Sequence, residues 1–266
     1  MDILKRVRFE VAFWQKAKGL GYSPFKTLLY EFIPKKRAQM REEEKHEAVN
    51  IAFKKYSLKF LENSDVREVF NDKIYTTHEE FIPHKNDIVI DVGAQFGDYA
   101  ILCAKYYNAK VWSFEPLKDN FKIFEQNIKL NKISGKRLKC YNIALGKQRK
   151  AIYLHYSKNM IKNMISSTGI DKKQKVYVRT LDSFKTKPTI LKIDVEGFEL
   201  DVLKGAVRTL RSWHPKIIIE THSKKLKEQT LDFLSEFGYS LKYEGGKGRI
   251  YDSKGALDIY QNLFLE

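Results

Sequence analysis

Two groups of acidic residues stand where short apolar runs end, and each is followed at once by glycine, the arrangement of a ligand-binding turn. The first is IVIDVGAQFGDY, residues 88–99, in which β-branched residues run into Asp91, Gly93 follows, and Gly97 precedes a helical pattern. Open parallel sheets bind ligands beyond the carboxyl ends of their strands, and the first strand-to-helix turn is the usual cofactor loop. A dinucleotide turn reads G-x-G-x-x-G, but counting from Gly93 the third position is Gln95 and the sixth is Asp98. The glycine that lets the backbone approach a pyrophosphate is missing, and Asp91 and Asp98 would repel its charge. Nicotinamide and flavin cofactors are therefore disfavoured.

S-adenosylmethionine inverts that electrostatic logic, because it carries a sulfonium and an ammonium beside its carboxylate and no phosphate. An acid at the bend then helps. Glu115 closes the run VWSFEP about 20 residues on, where an acid is expected to accept both ribose hydroxyls. Asn142, at the end of the third run, is placed to reach the adenine edge. Taken singly, Asp91 could be a helix cap, Glu115 a surface acid before Pro116 and Asn142 a turn residue. In order at successive strand ends, they point to cofactor binding.

The second group is ILKIDVEGFE, where alternation puts Lys192, Asp194 and Glu196 on one face and Leu191, Ile193 and Val195 on the other. Gly197 permits a sharp turn into the next helix. One strand later IIIETH sets Glu220 and His222 two apart, on a common face. Asp194, Glu196, Glu220 and His222 are the candidate proton acceptors; Lys192 reads as the ion-pair partner of a neighbouring acid. Without H-x-x-x-H or D-x-D spacing, no metal site is assigned.

The elements that must position these residues begin at Asp87. Short β-branched runs (DIVIDV, KVWSFE, LKCYNI, TILKID, KIIIET) alternate with helical patterns (YAILCAKYY, LKDNFKIFEQNIKLN, FELDVLKGAVRTLRS, LKEQTLDFLSEF), the signature of an α/β fold with a mostly parallel sheet. AIYLHYS and KVYVRTL read as strands flanking the polar loop KNMIKNMISSTG, residues 158–169, which interrupts the alternation. YSLKYEG and GRIYDS, joined through EGGKG, predict a C-terminal antiparallel hairpin. Residues 1–80 read as a helical extension, with Val49, Phe53, Tyr56 and Phe60 at helical spacing, and residues 81–266 as the main domain. The segment LKRVRFEVAFWQKAKGL mixes basic and apolar residues, and packing on the domain explains it better than a membrane surface.

The 266 residues suffice for one large domain, and their net charge of +16 would attract anionic partners over long range. The lysines are scattered, so the charge by itself names no partner. Cys103 and Cys140 form no paired motif and read as buried thiols in a reducing compartment. No apolar run reaches the roughly 18 residues of a spanning helix, and the cytoplasm is the expected location.

The chain resembles the FkbM-type family of class I S-adenosylmethionine-dependent methyltransferases. The resemblance runs from about Asp87 to Thr221 and rests on IDVGAQFGDYA, FEP, NIALG, TLDSF, ILKIDVEGFELDVLKGA and IIIETH, of which KIDVEGFE followed by VLKGA is the most specific. It implies a Rossmann-like seven-stranded sheet with one reversed strand, and O-methylation of a sugar or natural-product hydroxyl. By that likeness Asp91, Gly93, Ala94, Gly97, Glu115, Asn142 and Ala144 match the cofactor motifs. Gln95 and Phe96, where the family often has a smaller or different pair, complete the turn and are assigned with it.

The sequence thus predicts an O-methyltransferase with a small-molecule or glycan acceptor, selected by residues 158–169 and the N-terminal helices. Two alternatives keep the fold: an RNA methyltransferase using the basic surface, against which stands DVEG in place of a base-methylation motif, and a non-catalytic binding module on nucleic acid or a membrane surface. Calorimetry should show binding of S-adenosylmethionine and none of NAD. Glu115→Ala should weaken that binding more than tenfold, since it removes two charge-assisted bonds at about 1.5–3 kcal/mol each. A solvent-facing acid would leave the apo melting temperature unchanged.

Overall fold

The computed structural model describes residues 56–61, 66–70, 74–156, 172–251 and 257–266. Most of the expected 1–80 extension, and all of the polar loop 158–169, lie outside those residues. The strands are β1 (Ile88–Val92), β2 (Lys110–Phe114), β3 (Leu138–Tyr141), β4 (Ala144–Leu145), β5 (Lys150–Tyr156), β6 (Lys172–Arg179), β7 (Ile190–Ile193), β8 (Lys216–Thr221), β9 (Leu241–Tyr251) and β10 (Leu257–Leu265). The helices are α1 (Arg67–Phe70), α2 (Asp98–Ile101, running on into a π-helical turn Leu102–Tyr106), α3 (Lys118–Leu130), α4 (Glu199–Lys204), α5 (Val207–Trp213) and α6 (Lys224–Ser235).

Seven strands form one sheet in the order β3-β2-β1-β7-β8-β10-β9, in which β10 alone is reversed against its neighbours. The order turns around between β1 and β7, so the ends of these two strands open the crevice where such sheets take ligands. Ile90, Val92, Leu191, Ile193, Ile217 and Ile219 point to one face and pack with Val202, Leu203 and Leu210 of α4 and α5 and Leu234 of α6. The alternation read in ILKIDVEGFE therefore holds through β7, with Lys192 on the face opposite Leu191 and Ile193.

The C-terminal hairpin forms with a different partner. β9 runs unbroken through EGGKG and pairs with β10, not with GRIYDS. Insertion of β10 between β8 and β9 buries Leu263, Phe264 and Leu265, which a turn at EGGKG would have left unpaired beyond the sheet. The helix read across FELDVLKGAVRTLRS is two helices. A Cβ at Gly205 would lie 2.1 Å from the Gly146 carbonyl oxygen, so the chain breaks where two backbones touch.

The helical spacing read through Tyr56 and Phe60 also breaks early. Ser57 is left-handed (φ 53°), and the chain beyond it is irregular, its polar groups taken up by Asn127 of α3 and by Asn131, which caps that helix. Asn131 Oδ1 accepts from Lys59 N (2.9 Å) and Asn127 Oδ1 from Leu61 N (2.9 Å), while Asn127 Nδ2 donates to the Phe96 carbonyl (2.9 Å). Asn127 thus ties the segment before the sheet to the first turn after β1. Asn127→Ala should cost about 1–3 kcal/mol in denaturant unfolding, because it strands a buried N–H and C=O, whereas exposed Glu125→Ala on the same helix should cost under about 0.5 kcal/mol.

Candidate active site

The turn after β1 is held by its own backbone. Gly93 N and Ala94 N both donate to the Phe114 carbonyl (3.0 and 3.1 Å), Gly97 N donates to Ala94 O (2.7 Å), and Gln95 N donates to Glu115 Oε2 (2.9 Å). Those four amides are committed inside the protein and form no cradle for a pyrophosphate, which agrees with Gln95 in place of a dinucleotide turn's second glycine. Gly93, Gln95 and Gly97 are all left-handed (φ 81°, 47° and 82°). A Cβ on Gly93 would lie 1.7 Å from the Asp194 carbonyl oxygen, and one on Gly97 would strike the Phe124 ring at 1.9 Å. Ala94 and Phe96 are buried, so Phe96 shapes the turn from within the core and does not present its ring at the surface.

Glu115 is only 4% exposed, so it is not the solvent-facing acid that its place before Pro116 suggests. Burial pushes its carboxyl up to about 7, against the pull of hydrogen bonds from the Leu117 and Gln95 amides. Oε1 accepts from Leu117 N at 2.8 Å and, at 3.5 Å, from Asn120 Nδ2, so each oxygen is oriented by a backbone donor and Oε2 keeps a second lone pair. That fits a two-oxygen acceptor for a ribose. Because Glu115 is buried and bonded to two backbone amides, Glu115→Ala should also lower the apo melting temperature. Asn142 Nδ2 donates to the carbonyls of Glu115 (2.9 Å) and Pro116 (3.0 Å), supporting the ledge beneath Glu115. Ala144 opens β4 in a second, three-stranded sheet of order β4-β6-β5. Gln174 of β6 joins that sheet to the ledge, donating to Pro116 O (2.8 Å) and accepting from Lys118 N (3.1 Å).

Asp91 is enclosed within β1, not displayed at the bend. Register sets it opposite Lys192 of β7, whose Nζ lies 3.3 Å from Asp91 Oδ1, 3.8 Å from Asp194 Oδ2 and 3.1 Å from the Gly93 carbonyl that accepts its hydrogen bond. Burial opposes the Lys192 charge, but Asp91, Asp194 and Asp98 outweigh it and hold the ammonium protonated. The ion-pair reading of Lys192 is correct.

The four expected proton acceptors meet at one point. His222 Nε2 lies 3.2 Å from Glu196 Oε2, 3.5 Å from Glu220 Oε1 and 4.0 Å from Asp194 Oδ1. Two contributors escaped the sequence reading. Glu199 is fully buried, lies 3.3 Å from His222 Nδ1 and accepts from Gly197 N (3.0 Å). Its position two residues after Gly197 was the available signal. Tyr75 donates to Asp194 Oδ2 at 2.8 Å across 119 residues, a contact with no local signature. Asp194, Glu220 and His222 also offer ligand atoms within 4.8 Å of one another, a spacing that a hard divalent cation could use although the chain spacing gave no hint of it.

The Methyltransferase FkbM domain matches residues 91–241, more than half of the chain. The chain belongs to this family. A curated relative, Methyltransferase 1 of Beauveria bassiana, is 26% identical over 167 residues, covering 52% of this chain and 65% of its own length. Hexuronic acid methyltransferase AglP of Haloferax volcanii is 26% identical over 163 residues, covering 57% of this chain and 63% of its own length. The chain thus spans just under two-thirds of the curated relatives it matches. Among solved structures, the FkbM methyltransferase of Methylobacillus flagellatus superposes with a TM-score of 0.51 at 19% identity, covering 72% of this chain and 47% of that one, which shows the shared fold. Among the described residues of this FkbM-family chain, no helix is long and apolar enough to cross a membrane. Cys103 is a buried free thiol, as expected, while Cys140 is only half-buried.

Burial disfavours a charged His222, but the hydrogen bond to Glu199 and the charges of Glu196, Asp194 and Glu220 prevail and raise its pKa to about 9. At neutral pH the FkbM-family site therefore holds an imidazolium, which can orient acids but cannot accept a proton, and of the four candidates only the carboxylates remain as bases. A pKa raised from the ordinary 6.5 stabilises the fold fully below 6.5, and that stabilisation is lost as pH rises through 9. Unfolding free energy should fall by up to about 3 kcal/mol between pH 6 and pH 9.5. His222→Gln should flatten that slope; an unchanged slope would place the titration elsewhere.

Proposed function

We propose that the protein is an S-adenosylmethionine-dependent O-methyltransferase acting on a hydroxyl of a sugar, with an acidic sugar as the preferred class. The observation that carries this reading is the contact between the two strand-end turns: the Asp194 backbone oxygen lies against Gly93, so the acid cluster borders the cofactor turn. The buried, two-oxygen Glu115 and a turn whose amides are internally bonded fit a phosphate-free nucleoside cofactor. The family supplies the reaction type, and the named hexuronic acid relative supplies the acceptor class.

S-adenosylmethionine, which Glu115 and the turn after β1 would hold, would supply an electrophilic methyl group for the acceptor oxygen, with a neutral thioether as the leaving group. Asp194 takes the hydroxyl proton in this reading. Tyr75 and Lys192 hold Oδ2, which leaves Oδ1 turned toward His222 and the crevice. The His222 cation, fixed between Glu199 and Glu196, keeps neighbouring acids in place and stabilises charge near the reacting oxygen. We place the reaction in the cytoplasm, where Cys103 and Cys140 stay reduced.

Purified protein with labelled cofactor, offered a library of uronic acid glycans, neutral glycans and RNA, should label the uronic acid glycans. In that assay Asp194→Asn should lower kcat by about 100-fold or more while the cofactor Kd changes by less than threefold. Matching losses in both would make Asp194 a cofactor or structural residue.

A further inference from the structure

Among the described residues, neither the fold nor the cofactor site uses one face of the small sheet. β5 and β6 pair antiparallel with Ala151 opposite Tyr177, Tyr153 opposite Lys175 and His155 opposite Lys173. Alternation sends Val176 and Val178 inward, with Gln174 reaching the Pro116 ledge, and leaves Tyr153, His155, Lys173, Lys175, Tyr177 and Arg179 outward and exposed. The two tyrosines are large aromatics left 57% and 62% exposed, where solvent contact has an apolar cost. Lys173 Nζ lies 4.2 Å from the centroid of Tyr153, and Lys175 Nζ lies 5.8 Å from that of Tyr177. Neither strand contains an Asp or Glu.

We propose that this outward face of the β5–β6 pair binds an acidic glycan, stacking pyranose C–H faces on Tyr153 and Tyr177 and taking carboxylates on Lys173, Lys175 and Arg179. The proposal rests on the acidic-sugar reading of the acceptor and extends it to the part of the glycan beyond the methylated residue. Charge complementarity selects an anion: among the described residues the face holds Lys173 and Lys175, with Arg179 stacked on Phe184 at its end, and no acid. The rings narrow the choice further. Tyr153 and Tyr177 are diagonal neighbours, roughly 7 Å apart at Cβ, with Lys175 directly across from Tyr153. A uronic acid presents a ring face and a carboxylate from the same unit and so uses both kinds of side chain. A neutral sugar would use only the rings, and a simple polyanion only the lysines. The location suits an acceptor chain, since the same strand that displays these residues carries Gln174 to the ledge beside Glu115.

The test is calorimetric titration of the 266-residue chain with hexagalacturonate, with maltohexaose and oligo(U) as comparisons, alongside Tyr153→Ala/Tyr177→Ala and Lys173→Ala/Lys175→Ala double variants. All four positions are exposed, and unchanged melting temperature and S-adenosylmethionine affinity will verify that each variant is folded. Hexagalacturonate should bind and weaken with salt, maltohexaose should bind at least tenfold more weakly, and each double variant should lose at least tenfold. Three results would overturn the proposal: no hexagalacturonate binding, loss in the lysine variant with none in the tyrosine variant, or oligo(U) binding as tightly as hexagalacturonate. Binding that depends on both pairs without methyl transfer to uronic acid glycans would uphold this surface and reject the acceptor reading.

Discussion

A buried ammonium group organises this molecule. Lys192 is 3% exposed, and an uncompensated charge at that depth would be prohibitive, so Asp91, Asp194 and the Gly93 carbonyl must all lie within reach of it. Asp91 comes from β1, Asp194 from the turn after β7, and Gly93 from the turn after β1. The two turns are therefore locked to each other by one side chain at the point where strand order reverses. The Tyr75 ring lies 4.9 Å from the same ammonium and its hydroxyl bonds Asp194, so the segment before the sheet is drawn into the same arrangement.

That constraint explains the division of labour among the acids. Asp91 cannot serve a ligand directly because Lys192 needs its charge. The acids that remain available lie further along, where the chain leaves the sheet, and there they surround His222. Five titratable groups within hydrogen-bonding or ion-pair reach cannot all keep ordinary protonation states, and the outcome is a protonated imidazole among carboxylates. Left-handed backbone at Glu196 (φ 53°) and Gly197 (φ 102°) is what swings the turn back toward His222, with Glu199 bonding the Gly197 amide from below.

The other end of the crevice is built by a different device. Glu115 is buried and raised to about 7, yet its two oxygens are fixed by the amides of Gln95 and Leu117. Asn142 and Gln174 then brace the carbonyls around it from β3's end and from the small sheet. One strand insertion thus supports the ledge beside Glu115 with its inner residues while its outer residues form a separate basic and aromatic surface.

Local chemistry made much of this legible in the sequence. Apolar alternation marked the strands because each has a buried face, and the strand-end placement of Asp91, Glu115, Asn142, Asp194 and Glu220 followed from that register. Gln95 in place of the second glycine of a dinucleotide turn argues against a pyrophosphate, and the internally bonded amides agree. Burial depth, long-range pairing and charge coupling were decided only by tertiary structure. Nothing near Asp91 or Glu115 in sequence shows that each is enclosed, because their neighbours in space come from strands and turns far along the chain. The EGGKG turn failed for a related reason: pairing of β10 with both β8 and β9 buries LFL, a gain that outweighs local turn propensity. The histidine cluster is the clearest case, since residue types and spacing named His222, Asp194, Glu196 and Glu220 but not the buried Glu199, and the protonation state that decides which of them can act as a base depends on distances that only the folded chain sets.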